Sequence, residues 1–123
     1  MTIEQAIAKA DKAKPNGYQM SDKILWLSTL DGNIKRDIID THEDGEDVVF
    51  NGYDDDTAIT TELLVPAPYE DIYLYWLQAM IDYENGEIGK YNNSLVRYNE
   101  FLSAYRNNYN SIHLPKGRKI RYW

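Results

Sequence analysis

The chain has 123 residues, no cysteine, and 20 acidic against 13 basic side chains, for a net charge of −7. That length fits one domain with a modest core, and the lack of cysteine excludes a disulfide, a thiolate metal site and a cysteine nucleophile. No stretch approaches the roughly 18 apolar residues of a membrane span, and "MTIEQAIAKADKAKPNGY" mixes alanine, acid and lysine where a leader would be apolar, so the reading is a soluble protein.

Charge is unevenly placed. No lysine or arginine lies between Arg36 and Lys90, whereas the ending "KGRKIRYW" carries Lys116, Arg118, Lys119 and Arg121 and no acid. An acidic middle repels nucleic acid, and the basic tail, 115–123, is suited to a phosphate or acidic contact or serves as a solubilising end.

From the N-terminus, Thr2 and Gln5 form a capping-box pattern, and Ile3, Ile7 and Ala10 share a face of a short helix that stops before Pro15. Ser21 is placed to cap a second helix, 21–43, whose apolar stripe (Ile24, Leu27, Leu30, Ile34, Ile38) stays in phase across Asp31-Gly32. His42, beside Glu43 at its end, reads as a cation near the negative pole of the helix dipole. Residues 44–61 lack helical period and form a long acidic loop, in which Asn51-Gly52 suits a small hairpin or a projecting turn. Asp54-Asp55-Asp56 has neither the glycine nor the distant glutamate of a calcium loop and reads as solvated acid.

"ELLVP" is briefly extended, and Pro68, Glu70 and Asp71 mark a helix start. "IYLYWLQAMIDY" is apolar nearly all round, as in a helix buried on several sides. Beyond it, Ile88, Tyr91, Leu95, Tyr98, Leu102, Tyr105, Tyr109 and Ile112 alternate in steps of three and four. That register, run backwards, meets Glu84, Ile81, Leu77 and Leu74. The preserved phase predicts one long helix, 68–112, kinked between Asn85 and Gly89, with a tight helical hairpin as the alternative. Tyrosine on such a stripe suits either a subunit interface or the edge of the chain's own core. The residues concerned are Tyr91, Leu95, Tyr98, Leu102, Tyr105 and Tyr109.

No nucleophile elbow, phosphate loop or zinc-protease motif occurs, and His42 and His113 are distant in sequence. The expectation is a single all-α domain, a small bundle with a long C-terminal helix, without catalytic activity, cofactor or metal.

"TELLVPAPYEDIYLYWLQAMIDYENGEIGKYNNSL", residues 61–95, carries a resemblance through its "LxVPxPY" entry, "NGEIGKYNNS" and the tyrosine spacing beyond. It resembles the head–tail connector (adaptor, or head-completion) proteins encoded in the head-assembly region of tailed phages and prophages of low-GC Gram-positive bacteria. "ADKAKPNGYQMSDKILWLSTLDG" and "FNGYDDDT" fit the same pattern, so the resemblance covers most of the chain. It implies an α-helical subunit that forms a homo-oligomeric ring beneath the portal protein, in the virion neck and, during assembly, the host cytoplasm. Such a ring docks the next neck or tail-completion protein and passes DNA without sequence-specific binding. The acidic residues Asp54, Asp55 and Asp56 would line the channel or meet a partner. A small acidic regulator that binds a host protein is the alternative function.

Overall fold

Four helices carry the fold in the computed structural model, which describes residues 1–116: α1 (Ile3–Ala13), α2 (Met20–Asp37), α3 (Asp71–Glu84) and α4 (Ile88–Ile112). Two single 3-10 turns, Ile39–Thr41 and Gly45–Asp47, follow α2. Among the described residues there is no strand, only isolated antiparallel bridges at Thr2–Glu62 and His42–Pro115. The architecture is the expected all-α bundle with a long C-terminal helix.

The capping box forms as read. Thr2 Oγ1 accepts from the Gln5 amide at 3.2 Å, and Gln5 Oε1 accepts from the Thr2 amide at 3.0 Å. The next free amides of α1 find acceptors in the far loop, Ile3 on the Thr61 carbonyl (3.1 Å) and Glu4 on that of Ile59 (2.9 Å). The first turn of a helix leaves such donors without internal partners, so residues 59–63 complete α1. Its Ile3, Ala6, Ile7 and Ala10 face is buried.

Helix α2 begins one residue earlier than expected, with Gln19 at the cap and no side-chain bond there, and it ends at Asp37, short of residue 43. The Thr41 hydroxyl donates to the Ile38 carbonyl at 2.6 Å. Gly45 then packs so closely that a Cβ there would meet the Ile39 carbonyl oxygen at 2.3 Å. The tight turns occupy the space a continuing helix would need. The stripe Ile24, Leu27, Leu30, Ile34, Ile38 is buried throughout.

Residues 48–70 run back across the bundle without forming a hairpin. Gly52 takes a left-handed conformation (φ +86°) that lets the chain turn and sink Tyr53 into the core. Helix α3 starts at Asp71, later than Pro68, because the Tyr69 amide closes a turn on the Pro66 carbonyl at 3.0 Å.

The single helix over 68–112 is not what forms. The chain reverses at Asn85–Glu87, where Gly86 has φ +74°, and α3 and α4 pack along each other as a helical hairpin. Continuity of phase did not mean continuity of burial. Leu77 and Ile81 are buried, but Glu84 is exposed and Ile88 is 54 % exposed, so the stripe fails at the turn. A hairpin also gives the apolar flank of α3 a neighbour, which one extended spine would have left in water.

Candidate functional site

The tyrosine stripe of α4 turns inward. Tyr105 and Tyr109 are buried, and Tyr91, Leu95, Tyr98 and Leu102 are half-buried. Tyr91 meets Tyr83 of α3 (ring centroids 5.3 Å), Tyr98 meets Trp76 (5.1 Å), and Tyr105 meets Tyr69 (6.1 Å) and Tyr109 (5.8 Å). Burial raises the Tyr98 and Tyr105 phenols above their ordinary range. For Tyr105 and Tyr109 the subunit's own core is therefore the environment, with Tyr69 just before α3 and His42 just after α2 packed against them. Of the two roles left open for this stripe, the intramolecular one is occupied in the subunit.

The opposite side of α4 is what faces water. Asn93, Val96, Glu100, Ser103, Asn107 and Ser111 are all exposed and repeat every three or four residues, so they share one face, with exposed Ala104 beside them. The charges on that face are Arg97 and Glu100, which pair with each other at 3.5 Å. Water-facing helix surfaces are ordinarily rich in charge, whereas a valine and small side chains lose little on dehydration and asparagine amides can be satisfied by partners across a contact. A dent of about 260 Å³ lined by Pro68, Tyr69, Glu100, Phe101 and Ala104 borders this face. Small and amide side chains give this face no strong hydropathy signal in the sequence, although the spacing of residues 93, 96, 100, 103, 107 and 111 is nearly as regular as the tyrosine row.

Asp54, Asp55 and Asp56 are exposed. Asp54 Oδ1 accepts from the Asp56 amide (2.9 Å) and the Thr57 hydroxyl (3.2 Å), a local turn that shapes the loop tip. Among the described residues no three histidine or acidic side chains converge as metal ligands would. In the basic tail, Lys116 is exposed and its amide donates to the Thr41 carbonyl at 2.6 Å. Arg118, Lys119 and Arg121 lie outside the described residues.

Two polar centres were not anticipated. Asp31, read only as part of a tolerated Asp-Gly pair, is wholly buried. It accepts from the Tyr53 hydroxyl (2.5 Å), the Tyr73 hydroxyl (2.6 Å) and the Leu64 amide (3.1 Å). Tyr73 Oη accepts in turn from the Val65 amide at 2.7 Å. Burial pushes the Asp31 carboxyl above the usual range, against the opposing pull of Tyr53, Tyr73 and Leu64. The second centre is His42, which lies beyond the end of α2 at Asp37 rather than in its last turn. Its ring is buried, with Nδ1 2.6 Å from the Ile38 carbonyl oxygen and Nε2 2.9 Å from Asn110 Oδ1. Tyr109 packs edge-on to it at 4.7 Å and stacks on His113 at 3.9 Å, and His113 pairs with Asp44. The two histidines meet because α4 ends beside the turn that follows α2.

Comparison with protein-family models, with curated proteins and with solved structures finds no significant match to this chain.

Proposed function

We propose that the chain is a structural subunit of the phage neck, a head–tail connector that assembles as a homo-oligomeric ring below the portal and extends the DNA channel. The resemblance carried by residues 61–95 supports this reading, as does the agreement of the helical architecture with what that resemblance implies. The observation that carries it is the outward face of α4, made of small side chains, amides and a valine with one mutually paired couple, Arg97 and Glu100, and bordered by the Pro68–Phe101 dent. At 25 residues the helix offers a strip about 37 Å long for a neighbouring subunit. The ring contact falls on this face, since the tyrosine side is spent on the subunit's own packing.

In such a ring the exposed Asp54–Asp56 loop repeats around the circle. DNA carries one charge per roughly 1.7 Å of duplex, so an acidic wall leaves it free to slide where a basic wall would hold it. Screening over about 8 Å at physiological salt keeps that repulsion short-ranged. The loop tip is then a channel surface, and the far rim of the ring receives the next neck or tail-completion protein. The subunit needs no catalytic group or cofactor for this role.

The deciding experiment is mass measurement in solution, with and without purified portal. The expected result is a ring-sized species, or portal-bound subunit, that the free chain reaches with rising concentration. A chain that stays monomeric and ignores the portal overturns the assignment. Changing Asp54, Asp55 and Asp56 together to Asn should leave the ring intact and slow DNA passage in assembled particles. Normal passage would remove the channel role from this loop.

A further inference from the structure

A cleft of about 130 Å³ lies between the C-terminal half of α2 and α4. Tyr98, Leu102 and Arg106 line it from α4, and Asn33 with Asp37 from α2, each set spaced by four residues along one helix face. Buried Ile34 and Ile38 complete an apolar floor with Leu102. Arg36 engages the side-chain acceptors of the α2 wall. Its Nε donates to Asp37 Oδ1 at 2.8 Å, and its Nη2 donates to Asp37 Oδ2 at 3.1 Å and to Asn33 Oδ1 at 3.3 Å. Three donors are left over. The Asn33 amide nitrogen, the Tyr98 hydroxyl and the Arg106 guanidinium have no hydrogen-bond partner among the described residues.

We propose that this cleft binds a carboxylate on a short aliphatic stem, carried by a small organic acid or by an Asp or Glu side chain of a second copy of the chain. The guanidinium fork of Arg106 takes the two oxygens, and Tyr98 and Asn33 donate beside it. The stem lies on Ile34, Ile38 and Leu102, a floor that inorganic phosphate would leave uncovered. At roughly 30 Å³ per water molecule the cleft holds about four waters, which suits a group of propionate size. Its electrostatics agree. Burial raises the Tyr98 phenol, while Arg106 pulls it down and Asp37 pushes it up, so these charges act on one place. Arg36 holds the Asp37 carboxyl below its ordinary value, and Arg106 adds to that pull. With Asp37 matched by Arg36, the cleft keeps the positive charge of Arg106. Lys35 and Arg36 in the last turn of α2 offset the negative pole of that helix. The site belongs to the single subunit and stands or falls independently of ring assembly.

Titration with propionate, followed by NMR against sodium chloride at equal ionic strength, tests it on the full chain and on Tyr98→Phe and Arg106→Gln. Both variants should stay folded, since Arg106 is exposed and Tyr98→Phe keeps the ring on Trp76. Propionate should give saturable shifts at the Asn33 and Arg106 side-chain N–H signals. Arg106→Gln should weaken binding about tenfold or more, and Tyr98→Phe several-fold. Arg106→Lys should recover only part of the affinity, because it keeps the charge and loses the fork. Mass measurement on the concentrated chain separates the two sources. Self-association that is lost in Arg106→Gln and displaced by propionate assigns the cleft to a second copy's carboxylate. A mass that neither change affects assigns it to a free acid. Propionate acting no differently from chloride, or binding equally well to Arg106→Gln, overturns the proposal.

Discussion

Asp31 has no exposed surface, yet three donors from two parts of the chain converge on its two oxygens: Tyr53 and Leu64 from the long loop, Tyr73 from α3. It is the pin that fastens residues 48–70 to α2. Asp31→Ala would strand two buried hydroxyls and an amide, and unsatisfied buried groups cost about 1–3 kcal/mol each before relaxation. The expected loss is about 3 kcal/mol in urea unfolding, with Tyr53→Phe costing about 1 kcal/mol because the carboxylate keeps two donors. The same residue makes a pH prediction. Its native pKa is raised, chiefly by burial, so the folded chain holds this proton to higher pH than the unfolded chain does. Stability from this group is therefore fully present at pH below the ordinary carboxylate value, and it declines as pH rises from about 4 through the raised value. Unfolding at pH 4 and pH 7 should show the wild type losing ground relative to Asp31→Asn over that interval. A difference between the two proteins that does not vary with pH would mean that Asp31 titrates alike in both states.

At the scale of elements, the hairpin turn separates two glycines that look alike in sequence. Gly86 is left-handed (φ +74°), whereas Gly89 lies in the first turn of α4 and a Cβ there would touch nothing within 4 Å. Gly86→Ala should destabilise by about 1–2 kcal/mol from left-handed strain. Gly89→Ala should stabilise by up to about 1 kcal/mol through helix propensity, and thermal unfolding of the two variants would show opposite signs. The helical character of the segments could be read from periodicity, and the start of α1 from its cap, down to the reciprocal Thr2–Gln5 bonds. The reversal at Gly86 could not, because two antiparallel helices each bury one face and their periods happened to join in phase across a short turn. The Asp31 and His42 centres were illegible for a different reason. Tyr53 lies 22 positions from Asp31 and Asn110 lies 68 from His42, and no local pattern encodes such meetings.

For the whole molecule, the hairpin divides α4 into two sides with different duties, and the division can be measured. On the inner side, Tyr105 is buried against Tyr69 and Tyr109, and Tyr98 lies on Trp76. Truncating a buried aromatic to alanine typically costs about 3–5 kcal/mol, so Tyr105→Ala should lower the unfolding midpoint of the isolated subunit severely, and half-buried Tyr98→Ala less so. On the outer side, Val96 is 57 % exposed and Ala104 is exposed. Surface changes away from special features stay within about 0.5 kcal/mol, so Val96→Glu with Ala104→Glu should leave the subunit's stability and helix content nearly unchanged. Two added charges on a face meant to lose its water would, however, oppose any helix laid against it. In a ring the same carboxylates would recur at every contact, so the penalty is paid at each interface. The expected outcome is a stable, monomeric double variant that no longer joins the portal. If that variant assembles normally while the tyrosine variants, rescued by low temperature to the folded state, fail to assemble, the contact surface lies on the tyrosine side and the outward face of α4 is only solvated.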